Sequence, residues 1–122
     1  MASRLERYED KYRSLASALS EIGFISQGSL VLRKTSCGKP GCKCQGKPPQ
    51  LHGPYYQWSR LVNGKTASRR LSAPEAELYR EWIANRRELK RIVAEMENIS
   101  ALAGEILLSR VGEHPGRTRR RQ

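Results

Sequence analysis

Cys37, Cys42, Cys44 and His52 fall within sixteen residues of a 122-residue chain. Three thiolates and an imidazole nitrogen are the donors of a closed tetrahedral zinc site, at about 2.3 Å for sulfur and 2.0–2.1 Å for nitrogen. The run Cys37-Gly-Lys-Pro-Gly-Cys42-Lys-Cys44 suits that task, because Gly38, Pro40 and Gly41 let the Cys-x-Cys pair fold back toward Cys37. With four protein ligands the ion has no open position, so the site is expected to be structural and not catalytic. The alternative is a Lys/Pro/Gly-rich surface loop with free thiols. Clustered exposed thiols without a metal or redox role are a liability, which favours Zn2+. The Cys-x-x-Cys motif of redox proteins is absent. For His52 the alternative is a turn histidine packed on Tyr55, with water or another chain in the fourth position. His114 stands alone beside a basic tail and is a poorer ligand candidate.

The charge around these residues is lopsided. The formal net charge is +11. Residues 23–72 hold nine Lys or Arg, no Asp or Glu, and every cysteine. Residues 1–22 sum to zero, 73–111 to −1 and 112–122 to +3. Three thiolates on a divalent ion subtract one unit, so the cysteine segment keeps about +8. Such a surface attracts phosphate backbones through counterion release. The candidate nucleic-acid contacts are Arg33, Lys34, Lys39, Lys43, Lys47, Tyr55, Arg60, Lys65, Arg69 and Arg70. Tyr55 and Tyr56, beside Gly53-Pro54, can offer stacking surface to an unpaired base. The plainer alternative makes Tyr56 and Trp58 core residues and the lysines solubilising.

These residues need elements to position them, and the pattern predicts an α+β fold. Leu5, Tyr8, Tyr12, Leu15, Leu19 and Ile22 recur at steps of three and four, a helix over 1–23. Ser29–Thr35 is a short β-prone run leading into Cys37. Asn63-Gly64 separates two further strand-like runs and signals a type I′ hairpin. That turn sets Val62 opposite Lys65, Arg60 opposite Ala67, Trp58 opposite Arg69 and Tyr56 opposite Leu71. Tyr56, Trp58, Val62, Ala67 and Leu71 then face inward, and Arg69 is placed to stack on Trp58. Together with 29–35 the hairpin gives a small antiparallel three-stranded sheet carrying the zinc-binding loop, a zinc/β module over 28–72.

Ser72-Ala-Pro-Glu75 is a capping box opening a long coiled-coil-like helix over 73–109. Its expected seam runs Leu78, Trp82, Asn85, Leu89, Ile92, Met96, Ile99, Ala103, Ile106. The whole of 1–111 is expected to be one zinc-stapled domain, and 112–122 a disordered basic tail. The seam outruns the first helix, so Ile99, Ile106 and Leu107 are expected to face water, a second copy or a partner helix. Asn85 is placed to set the register of such a pairing. No apolar run approaches the ~20 residues of a membrane span. The start of the chain lacks an apolar h-region, and the cysteine usage fits a reducing compartment. The expectation is a cytoplasmic protein.

Thr35-Ser-Cys-Gly-Lys-Pro-Gly-Cys-Lys-Cys44, His52-Gly-Pro-Tyr-Tyr56, the Asn-Gly-Lys hairpin and the long charged helix resemble a family of small uncharacterised prokaryotic proteins. The resemblance covers about residues 28–100. It implies a setting near transposases and other mobile-element genes, and it brings no catalytic residues. The leading expectation is a non-enzymatic, zinc-containing nucleic-acid-binding accessory protein, of a mobile element or defence system. The alternative is a protein-interaction adaptor or oligomerisation module working through the long helix. Catalysis by Tyr55 or Tyr56 would need metal-bound carboxylates or a His/Arg cluster, and residues 23–72 offer no carboxylate.

Overall fold

Asn63 and Gly64 both take positive φ, 53° and 80°, and close a two-residue turn between antiparallel strands. The pairing across it is the expected one: Val62 with Lys65, Arg60 with Ala67, Trp58 with Arg69, Tyr56 with Leu71. The computed structural model describes residues 2–112. The elements run α1 (Arg4–Leu19), β1 (Ser29–Thr35), a 3-10 turn (Lys43–Gln45), β2 (His52–Val62), β3 (Lys65–Leu71) and α2 (Ala73–Val111). The fold is α+β, with one antiparallel sheet in the order β1-β2-β3 between the two helices in the chain. α1 is shorter than the 1–23 expected, and α2 runs two residues past 109. Of the expected tail, residues beyond Gly112 lie outside the described ones, as does His114. Among the described residues no helix is long and apolar enough to cross a membrane.

Two compact units share α2. Gly23–Arg87 form one; the described parts of Met1–Ile22 and Glu88–Gln122 form the other.

In the first unit the sheet packs one face on the opening turns of α2. Leu30 pairs with Trp58 and Leu32 with Tyr56, extending the hairpin's apolar face onto β1. Trp58 meets Tyr79 with ring centroids 4.3 Å apart, and Tyr79 meets Trp82 at 4.9 Å. Leu71, Ala76 and Ile83 are buried in the same unit. The helix face that meets the sheet is therefore Ala76–Tyr79–Ile83. Leu78, the expected start of the seam, is half exposed. The heptad pattern is continuous and could not reveal that the sheet takes a face one step around the helix. Val62, expected inside, is also well exposed at the hairpin tip.

Two further corrections concern polar groups. Arg60, not Arg69, stacks on Trp58, its guanidinium 4.1 Å from the ring centroid. Arg60 lies on the same strand and face as Trp58, whereas the charge of Arg69 acts on Glu75. Asn85 donates its side-chain N–H to Phe24 O at 2.8 Å, so its polar group is satisfied within the chain. The expected capping box is present: Ser72 N–H donates to Glu75 Oε1 at 2.8 Å, and Glu75 N–H to Ser72 Oγ at 3.3 Å.

Gly28 holds the entry to β1. Its φ is +103°, and a Cβ there would meet Ser59 O at 2.4 Å and Trp58 Nε1 at 2.6 Å. Trp58 Nε1 donates to the neighbouring Gln27 O at 2.9 Å, so the contact cannot open without losing that bond. Gly28→Ala is expected to lower the unfolding free energy by about 2 kcal/mol or more. Gly38→Ala, which meets no atom within 4 Å, is expected to stay within about 0.5 kcal/mol. Urea denaturation of both variants checks the contrast.

In the second unit α1 opens on a capping box the sequence reading passed over, Ser3 with Glu6. Leu5, Tyr8, Leu15 and Leu19 are half-buried, and Ile92 on α2 is fully buried. Met96, Ile99, Ala103 and Ile106 continue that stripe half-buried. Ile99, Ala103 and Leu107 line a groove of about 300 Å³ with Tyr8 and Tyr12 of α1. Packing within the chain therefore covers part of the seam expected to be open. Leu102, Leu107, Leu108 and Val111 stay about half exposed.

Candidate metal centre

Strand pairing brings the outermost donors together. Thr35 at the end of β1 pairs with His52 at the start of β2. Cys37 follows Thr35 by two residues, so pairing places its thiol near the imidazole. The sixteen residues between the strands form a loop that returns the other two thiols. Cys42 N–H donates to Lys39 O at 3.3 Å, with Gly41 at φ +81°. Pro at the second position and a positive-φ Gly at the third are the demands of a type II turn. The 3-10 turn follows, with Gln45 N–H bonded to Cys42 O and Gln50 N–H to Lys43 O. It drives Cys44 inward, to 4% exposure, the one buried side chain of the loop.

The four donor atoms lie within 4.8 Å of one another. Cys37 Sγ is 3.5 Å from Cys44 Sγ, and Cys42 Sγ is 3.2 Å from His52 Nε2. Metal–sulfur bonds of about 2.3 Å in a tetrahedron place neighbouring sulfurs about 3.8 Å apart. The cluster is thus within about 1 Å of that geometry throughout, and the four residues can hold one metal ion. His52 is turned through its Nε2 to Cys42, while the Tyr55 ring is covered by Arg70.

The loop tunes its thiols. The backbone N–H of Cys37 donates to Cys44 Sγ at 3.2 Å. That bond, aided by hydrogen bonds from Cys37, Cys42 and His52 against the opposing effect of burial, lowers the Cys44 thiol to about 7. Gln45 supports the arrangement, donating to Cys37 O and lying 3.6 Å from Cys44 Sγ. Metal ligands are commonly held by such outer partners. Nothing in the cysteine spacing marks Gln45; only its place next to Cys44 hints at it.

The expected nucleic-acid contacts do not form one patch. Arg33 pairs with Tyr55 across β1–β2, and Gln57 with Arg70 across β2–β3, on the face turned away from α2. Arg70 lies over the Tyr55 ring at 3.8 Å. The Thr35 hydroxyl, then Arg70, then Arg33 pull the Tyr55 phenol below its ordinary value. Lys39, Lys43 and Lys47 are exposed on the metal loop, and Lys34 is exposed at the β1 irregularity. Arg60 and Arg69 lie on the opposite, helix-covered face, and Lys65 sits at the hairpin tip. Tyr56 belongs to the packed face, with Arg80 5.7 Å over its ring.

A family model described as "Domain of unknown function (DUF6788)" matches residues 2–81, a stretch that holds all four donors and the whole sheet. No curated protein and no solved structure matches the chain.

Proposed function

The chain belongs to the DUF6788 family, and on that premise we propose that it is a zinc-stapled nucleic-acid-binding protein without catalytic activity. Zn2+ is the ion that a Cys3His donor set suits best, since soft thiolates and imidazole in a tetrahedron select against Mg2+ and Ca2+. One observation carries the reading: four convergent donors sit in a segment with nine cations and no carboxylate. The ion would fix the loop that carries Lys39, Lys43 and Lys47, and that loop joins β1 to β2, two strands whose open face carries Arg33 and Tyr55, with Arg70 on β3. A strand laid along that face would set its phosphates against the lysines and arginines. Tyr55 is already covered by Arg70, so an unpaired base would stack on the guanidinium plane. The cytoplasm, where thiols stay reduced, and an accessory role beside a mobile element or defence system complete the proposal.

The test is fluorescence anisotropy with single-stranded and duplex oligonucleotides at 50 and 200 mM salt. Binding that weakens steeply with salt supports the reading; negligible affinity at low salt removes it. In that case a second reading gains, a protein-interaction adaptor or homo-oligomer working through α2. The half-exposed Leu102, Leu107, Leu108 and Val111 favour it.

A further inference from the structure

A second recess lies away from the metal loop, within the sheet-bearing unit. It has a volume of about 290 Å³ and is lined by Gln27, Gly28, Ser59, Arg60, Leu61, Thr66 and Arg86. None of these residues is acidic. We propose that this recess binds a phosphate group through the paired guanidiniums of Arg60 and Arg86.

Each guanidinium carries five N–H donors in a planar fork suited to phosphate oxygens. Both arginines are half-buried. Among the described residues the carboxylate partners go to Arg80 and Arg91, and neither Arg60 nor Arg86 has one. A half-buried cation without a counter-charge is costly, and an oxyanion offsets that cost.

The recess is also built to hold its shape. The Arg60 guanidinium lies over the Trp58 ring, 4.1 Å from its centroid. The indole is fixed in turn by its N–H bond to Gln27 O at 2.9 Å. Gln27 Nε2 donates to Leu61 O at 3.4 Å, tying the floor to β2. Gly28 approaches Ser59 O too closely for any side chain. Arg86 comes from α2, so the two cations are brought together by the tertiary fold, at a distance of 26 positions in sequence. The volume is several times the ~30 Å³ that one water occupies, enough for a phosphate group.

The group could be free phosphate or the phosphate of a nucleic-acid strand. The site stands without the nucleic-acid reading, because inorganic phosphate would bind whether or not a strand does. The experiment follows the arginine Nε–H resonances of the full chain by NMR. Sodium phosphate is titrated against sodium chloride at constant ionic strength. Saturable shifts of Arg60 and Arg86 with phosphate alone are expected. Arg86→Gln should weaken them about tenfold or more, the size expected for losing charged hydrogen bonds. Arg86→Lys, which keeps the charge without the fork, should retain a weaker response. Arg33→Gln with Arg70→Gln, on the other face, should leave the response unchanged.

Oligonucleotides with and without a 5′-phosphate then identify the source. Tighter binding of the phosphorylated strand, lost in Arg86→Gln, assigns the recess to a strand end. Equal binding of both strands alongside a phosphate response assigns it to free phosphate. If strands fail to bind while phosphate still shifts both arginines, the nucleic-acid reading falls and this site survives. The proposal is overturned if the two resonances respond to phosphate no more than to chloride. It is equally overturned if Arg86→Gln leaves the response intact.

Discussion

Chelating the metal is expected to unfold the loop between β1 and β2 and to leave the two helices standing. The loop's sixteen residues contain one buried side chain, Cys44. Ordering a backbone costs about 1–2 kcal/mol per residue. Apolar burial in this loop cannot offset that, and its few backbone hydrogen bonds contribute only about 1 kcal/mol each. A structural zinc contributes about 10–16 kcal/mol in small zinc modules at neutral pH. On the proposed reading the loop's order therefore depends on the ion. The helices are not expected to share that dependence: on α2, Ala76, Ile83 and Ile92 are buried and Tyr79 packs on Trp58. On addition of a strong chelator, amide resonances of residues 36–51 should collapse toward random-coil values. Helical circular dichroism should change little. Cys42→Ser is expected to reproduce the loss, and its metal affinity should fall by more than the ~10–100-fold that follows loss of an outer partner. His52→Ala should weaken the site and leave the ion held by the three sulfurs. A loop that keeps its dispersed resonances after complete metal removal would show that something other than the ion orders it.

Nucleic-acid affinity is expected to fall about 130-fold for single strands and about 500-fold for duplex between 50 and 200 mM salt. Arg33, Lys39, Lys43, Lys47 and Arg70 offer five contacts on the open sheet face and the loop. Each neutralised phosphate contributes about 0.7 to the salt slope for single strands and about 0.9 for duplex. Five such contacts give a slope near −4, and a fourfold rise in salt then costs between two and three powers of ten. Replacing Lys39, Lys43 and Lys47 with Gln should flatten the slope by about 2 to 3, and Arg33 with Arg70 by about 1.5. Arg69→Gln, on the covered face, should do less than either set. Chelation links the two predictions. A disordered loop no longer holds its lysines in a fixed arrangement, so the metal-free protein should bind more weakly at every salt concentration. An unchanged slope in the five-site variant would place the binding surface elsewhere.

How far the sequence could foresee this molecule depended on how local each determinant is. Asn63-Gly64 specifies a turn, and a two-residue turn specifies every pair from Val62–Lys65 to Tyr56–Leu71. The metal cluster was legible because donors of the right kind lie close in the chain. Their convergence needed only a Pro-Gly turn and the pairing of Thr35 with His52. The capping box at Ser72 was legible for the same reason.

What escaped was tertiary. The heptad on α2 is continuous from Leu78 to Ile106, and nothing in it shows that its first turns would serve a sheet through Ala76, Tyr79 and Ile83. The register put Arg60 at the rim of the hairpin's apolar face, opposite Ala67, but did not show that it stacks on Trp58 of its own strand. Arg86 carried no signal, because its meaning depends on a recess that exists only when α2 and β2 are assembled. The basic segment looked like one patch, yet the period of two in β2 and β3 divides its arginines between opposite faces.

The central claim is that one zinc ion, bound by Cys37, Cys42, Cys44 and His52, organises the loop. X-ray absorption spectroscopy at the zinc edge, with metal quantified on the same purified sample, tests it most directly. The account predicts one zinc per chain with three sulfur neighbours near 2.3 Å and one nitrogen near 2.0–2.1 Å. His52→Ala should remove the nitrogen shell and leave the sulfurs. Protein that is folded and carries no stoichiometric metal, or a metal shell made of oxygen donors, would contradict it.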